Sequence, residues 1–198
     1  MKKGFILVAG IWICFGLFHL SVSAGSRPET GGILPAIMLT VPEKAAERAY
    51  LGLSDEKIFS LSDIKAKVLI VEIFSMYCPY CQAEAPVVNR LYRKIEANPL
   101  LKNDIRVIGI GVGNSSFEVN VFRKKYAIPF PLFADPDYKV HDEFGNVRTP
   151  YFIGIKRENR GIERVFLVQP GGLENVDEFL DRIFRESSLD DGTKKRRK

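Results

Sequence analysis

Cysteine, histidine and tryptophan are scarce in this 198-residue chain, at three, two and one residues respectively. The scarcity excludes several kinds of site. A structural zinc centre needs four ligands, usually two pairs at close spacing. Beyond Cys78 and Cys81 the chain offers only Cys14, His19 and His141. Covalent haem attachment needs a histidine directly after the second cysteine, and Gln82 stands there. A fold stapled by disulfides needs more cysteines than these. The sequence also lacks an internal repeat. Its longest apolar run, Phe5 to Phe18, is shorter than the roughly 20 residues a membrane-spanning helix requires.

An excess of one charge is missing from the body of the chain as well. The formal net charge is +5, yet Lys2, Lys3 and the run Lys194-Lys195-Arg196-Arg197-Lys198 sit at the ends. Residues 25–193 hold 22 basic and 24 acidic side chains. This balance argues against nucleic-acid binding by the folded part. The basic tail, 189–198, offers a contact to anionic lipid surfaces or acidic partners, or is a solvated end.

What is present at the N-terminus reads as an export signal. A basic start, an apolar segment and the small residues Ser21-Val22-Ser23-Ala24 predict cleavage after Ala24. The alternative is an uncleaved N-terminal membrane anchor. Removing residues 1–24 leaves Cys78 and Cys81 as the only cysteines. An exported protein that keeps two cysteines in one motif uses them for chemistry.

That motif is Cys78-Pro79-Tyr80-Cys81, directly after the β-branched run Val68 to Phe74 and before a segment with helical spacing, Gln82 to about Ala97. A helix N-terminus offers unpaired N–H groups and a partial positive charge, which favour a thiolate. Pro79 suits the first helical position, where its missing donor costs nothing. A Cys-X-X-Cys at a strand–helix junction therefore points to thiol–disulfide exchange.

The rest of the chain supplies a scaffold. Residues 25–45 read as an extended lead in which Ile33, Leu34, Ile37, Met38 and Leu39 pack onto a domain spanning 46–188. Residues 49–53 and 57–61 predict a hairpin about Ser54-Asp55. Ile105–Val112 predicts a second buried strand. A helix follows from Phe117 to Tyr126, capped by Ser115 or Ser116, with Arg123, Lys124 and Lys125 exposed. A short strand Leu132–Ala134 and a short helix Asp137–Phe144, carrying His141 at the surface, come next. Strands 151–155 and 162–168 and a final helix opened by Asn175 or Asp177 complete the order. A βαβ unit followed by an antiparallel pair and a covering helix makes an α/β fold, a mixed central sheet with helices on both faces.

With the cysteine pair at the end of the first core strand, this order resembles a thioredoxin-like fold. The chain is similar to the TlpA/ResA-like extracytoplasmic thioredoxins through Cys78-Pro79-Tyr80-Cys81, Glu84 and Pro86, the segment Ile128 to Asp135, and Thr149-Pro150 before Tyr151-Phe152-Ile153-Gly154. It departs from them at Tyr77, where tryptophan is usual, and at Glu72, where an uncharged residue is common. The resemblance implies a cis bond before Pro150, with Pro79, Tyr80, Thr149 and Pro150 meeting an extended substrate. Cys78 is the expected nucleophile and Cys81 the resolving thiol. Glu72, the one charge in an apolar strand, is expected to be buried, partly protonated and able to move protons at Cys81, unless a lysine pairs with it. Glu84 is expected to modulate the thiols. No metal or cofactor is implied beyond the redox-active Cys78–Cys81 disulfide.

The resemblance further implies an enzyme acting on exported protein disulfides or thiols, most simply in the periplasm and as a reductase supplied by a membrane electron donor, as in cytochrome c maturation. The competing expectations are an oxidase that introduces disulfides, coupled to a membrane acceptor, and a thiolate copper-binding module.

Overall fold

The computed structural model describes residues 25–158 and 163–189. In chain order its elements are β1 (Met38–Thr40), α1 (Ala45–Leu51), β2 (Ile58–Ser60), β3 (Val68–Phe74), α2 (Pro79–Ala97), β4 (Ile105–Val112) and α3 (Ser116–Tyr126). Then follow β5 (Leu132–Asp135), α4 (Lys139–Glu143), β6 (Tyr151–Arg157), β7 (Glu163–Pro170) and α5 (Val176–Ser187). The expected export segment 1–24, most of the turn 158–161 and the basic tail after Leu189 lie outside the described residues.

Five strands form one mixed sheet in the order β5-β4-β3-β6-β7. β3 lies parallel to β4 and antiparallel to β6. Every residue of β3 is buried, as expected of a central strand covered on both faces. Its side chains alternate. Val68, Ile70 and Phe74 pack with Val88 and Leu91 of α2, Phe122 of α3 and Phe179 of α5. Leu69, Val71 and Ile73 pack instead with Leu51 of α1, Phe59 of β2 and Phe144 beyond α4. A one-residue slip of β3 would exchange these two sets, so the double burial pins the register. The result is the expected mixed sheet with helices on both faces.

Three local expectations are corrected. The predicted hairpin 49–53/57–61 does not form. Ala45–Leu51 is rich in good helix formers and becomes α1, and Gly52 closes it in the left-handed region at φ 67. Residues 58–60 pair back to β1 in a separate two-stranded sheet, Leu39 opposite Phe59. In the lead, Ile37 and Leu39 are buried as predicted, but Met38 between them is exposed because a strand can bury only alternate residues against one face, and Ile33, ahead of β1, is exposed as well. Arg123 is not exposed like Lys124 and Lys125. It is folded in to donate to the Phe130 carbonyl (2.9 Å) and pair with Glu47 of α1 (3.1 Å).

Candidate active site

The end of β3 and the start of α2 meet in the turn Ser75–Cys78, closed by the Cys78 N–H donating to the Ser75 carbonyl at 3.1 Å. Cys78 is the N-cap of α2, Pro79 its first residue, and no acidic side chain occupies its first turn. The helix N-terminus is therefore free to favour negative charge at Cys78. Both cysteines are free thiols, Cys78 half-buried and Cys81 fully buried. The helix runs on through Pro86.

The two thiols have opposite electrostatics. At Cys78 burial disfavours the thiolate. The Cys81 N–H, the Thr149 hydroxyl, the Cys81 thiol and the Tyr80 N–H outweigh it and bring the pKa below 9.0. At Cys81 burial dominates and pushes the thiol up to about 12, although the Ser75 backbone opposes this. A nucleophilic outer thiol and a protected inner one are what sequential disulfide exchange requires.

The turn before β6 closes the site. The Thr149–Pro150 peptide bond is cis, and the Cys78 thiol donates to the Thr149 carbonyl at 3.5 Å. Tyr80 stands exposed on the near side. Tyr80, Thr149 and Pro150 line one groove with Gly171 and Gly172 after β7. Pro79 is exposed at the helix start and does not line that groove.

Two buried carboxyls, Glu72 on β3 and Glu84 on α2, lie near one another. Glu72 sits on the β3 face that packs against α2, opposite Gly109 of β4 and Phe152 of β6. It is buried, and its Oε1 has no hydrogen-bond partner among the described residues. Burial first, and the nearby Glu84 second, raise its pKa to about 8. The lysine that could have neutralised it is absent from the ion pairs of the described residues. Glu84, one turn after Cys81, is buried too, and accepts the Leu173 N–H at 2.8 Å. Burial raises its pKa, while that N–H and the charge of Arg90 oppose the rise. Gly172 makes the approach possible, since a Cβ there would overlap the Glu84 carboxylate.

Some residues at the site carried no signal in the motif. Asn114, fully buried at the end of β4, accepts the Met76 N–H on its Oδ1 at 2.8 Å. Gln82 donates to the Met76 carbonyl at 2.8 Å, so the residue two before Cys78 is held from both sides. Adjacent parallel strands bring their carboxyl ends together, the one hint that Asn114 would meet this turn. His141 lies on α4 as expected but is half-buried and not at the surface, and it bonds the Val147 carbonyl through Nε2 at 2.8 Å. Tyr77, exposed, donates its hydroxyl to Glu118 of α3. Among the described residues no three His, Cys, Asp or Glu side chains cluster to hold a metal ion.

The model of a family described as AhpC/TSA matches residues 40–173, which take in the sheet, both cysteines and the Thr149–Pro150 turn. The chain belongs to the AhpC/TSA family. Among curated relatives, this AhpC/TSA chain is 23% identical over 167 residues to thiol-disulfide oxidoreductase ResA of Bacillus cereus (strain ATCC 10987 / NRS 248), covering 84% of this chain and 92% of the relative. It is 24% identical over 147 residues to the protein of that name from Halalkalibacterium halodurans, covering 73% and 78%. Its fold matches a putative protein disulfide isomerase from Bacteroides thetaiotaomicron with TM-score 0.60 at 20% identity, over 84% of this chain and 93% of that one. A putative thiol:disulfide interchange protein DsbE from Chlorobium tepidum matches with TM-score 0.58 at 17% identity, over 81% and 99%. Family, fold and the strand–helix cysteine pair agree on a thioredoxin-like oxidoreductase.

Proposed function

We propose that the chain is an extracytoplasmic thiol–disulfide oxidoreductase that reduces disulfides of exported proteins, such as those met in cytochrome c maturation. The observation that carries this reading is the asymmetry of the two thiols, Cys78 half-exposed with a lowered pKa and Cys81 buried with its pKa at about 12. Cys78 thiolate attacks one sulfur of the substrate disulfide, forms a mixed disulfide and expels the first substrate thiolate. Cys81 loses its proton and attacks the Cys78 sulfur, which releases the second substrate thiolate and leaves Cys78–Cys81 oxidised. Two electrons pass to the substrate, and a membrane dithiol donor restores the pair.

Glu72 is the group that takes the Cys81 proton. Its raised pKa, about 8, suits a carboxyl that must both hold and release a proton near neutrality. Glu84 sets the charge that Glu72 feels. Pro79 fixes the helix start, and Tyr80, Thr149 and Pro150 receive the substrate backbone beside Cys78. The signal pattern of residues 1–24 supports action outside the cytoplasm, free or anchored. No helix among the described residues is long and apolar enough to cross a membrane.

The test is the equilibrium reduction potential of the pair, together with reduction of insulin by wild type and Cys78→Ser. A potential near roughly −270 mV and loss of insulin reduction in the variant are expected of a reductase. A potential near roughly −120 mV would make the chain a disulfide donor. Absence of any reversible two-electron couple would overturn the catalytic reading and bring thiolate copper binding forward.

A further inference from the structure

A groove of about 590 Å³ opens beside the cysteine pair, between Tyr80, the turn before β6 and the loop after β7. The charged side chains that line it are Arg148 and, from the N-terminal lead, Arg27. Among the described residues no carboxylate lines it. Neither guanidinium takes part in an ion pair among the described residues.

Both arginines are held at the groove by backbone geometry. The lead is seated against the turn after α4, where Gly145 has φ 65 and a Cβ would lie 2.5 Å from the Arg27 nitrogen. Pro28, the next residue, is buried, so the backbone at 27 is fixed while its side chain remains exposed. Arg148 immediately precedes Thr149, whose carbonyl meets the Cys78 thiol. Tyr80 and Thr149, which flank Cys78, line the same groove as the two arginines, so a chain bonded to Cys78 that lies along it meets two positive charges. The buried Glu84 carboxyl lies against Gly172 and is engaged by the Leu173 N–H.

Unpaired guanidinium groups flanking a reacting centre favour carboxylates, and through charge complementarity they speed encounter and set orientation. We propose that this groove selects disulfide substrates whose segment flanking the reactive cysteine carries acidic side chains, read by Arg27 and Arg148. The proposal rests on the disulfide-exchange reading above and adds the substrate class to it.

The test uses the reduced protein and three peptide disulfides, identical except for Glu, Gln or Lys on both sides of the cysteine. The readout is the ratio of second-order rate constants within each protein variant, which cancels any general loss of activity. In wild type the Glu peptide is expected to outrun the Gln peptide about fivefold at low salt, with the gap closing as ionic strength rises. Arg27→Ala with Arg148→Ala should bring that ratio near one. Arg27→Glu with Arg148→Glu should reverse the order in favour of Lys. Equal rates for the three peptides in wild type, or an acidic preference that survives charge reversal, would overturn the proposal and leave disulfide exchange standing. If wild type consumes none of the three, the exchange reading itself fails and the proposal falls with it.

Discussion

Asn114 holds Met76: its amide oxygen accepts the Met76 N–H at 2.8 Å across 38 residues of chain. The bond ties the end of β4 to the turn that presents Cys78. Asn114→Ala leaves that N–H without an acceptor and is expected to cost about 1–3 kcal/mol in urea unfolding. Gln82→Ala, which frees only a half-exposed contact to the Met76 carbonyl, is expected to cost about 0.5–1.5 kcal/mol. Loosening the turn should also move the Cys78 pKa up towards 9.0. Equal stability of Asn114→Ala and wild type would show that the turn does not depend on this bond.

The thiols should titrate separately. In protein lacking residues 1–24, whose only thiols are Cys78 and Cys81, the alkylation rate is expected to rise through a single step below 9.0, belonging to Cys78, with no second thiol step until about 12. Cys78→Ser should abolish the first step. It also removes the hydrogen bond and charge by which Cys78 raises Cys81, so the Cys81 step should fall somewhat. Burial is the larger cause, and the step should stay above the ordinary thiol value. Two overlapping steps near that value would remove the asymmetry on which the proposed exchange rests.

What was legible in the sequence was whatever declares itself in adjacent residues. The strand, the Cys-X-X-Cys and Pro79 form one continuous signal, and β3 and α2 fall where the pattern put them. Glu72 announced itself as a lone charge in an apolar strand, and it is buried. The hairpin about Ser54 failed because the helix formers of Ala45–Leu51 take its first arm into α1, while the second arm pairs with the distant β1. Asn114, Gly172 and Arg27 reach the site through the third dimension. Nothing in their own neighbourhoods says that β4, the loop after β7 and the lead converge on Cys78.

Gly172 and Glu84 should behave as a coupled pair. A methyl group at 172 would overlap Glu84 Oε2, while Oε1 is fixed by the Leu173 N–H. Gly172→Ala is expected to destabilise by about 1–3 kcal/mol, because the carboxylate cannot swing away without breaking that bond. In the Glu84→Ala background the same substitution should cost much less. A double-mutant cycle by urea unfolding measures the coupling. Strict additivity would mean that the loop, and not Glu84, sets the cost.

Glu72 gives the chain a pH dependence of predictable sign. Its carboxyl pKa is 4.5 when unfolded and about 8 in the fold. Between those values the folded state binds the proton more tightly, so stability should fall as pH rises from 4.5 to 8 and level off above, by up to about 1.4 kcal/mol per pH unit. Glu72→Gln cannot ionise. It should flatten that slope, apart from what Glu84 contributes, and be the more stable protein in mild alkali, with the two curves converging towards acid. Urea midpoints taken across this range decide it, and parallel curves would mean that Glu72 is not the buried proton site. The same variant separates stability from chemistry. If Glu72 takes the Cys81 proton, Glu72→Gln should prolong the mixed disulfide on Cys78 in a quenched-flow trap while leaving the first attack by Cys78 unchanged. An unaltered lifetime would assign proton removal at Cys81 to solvent or to Glu84.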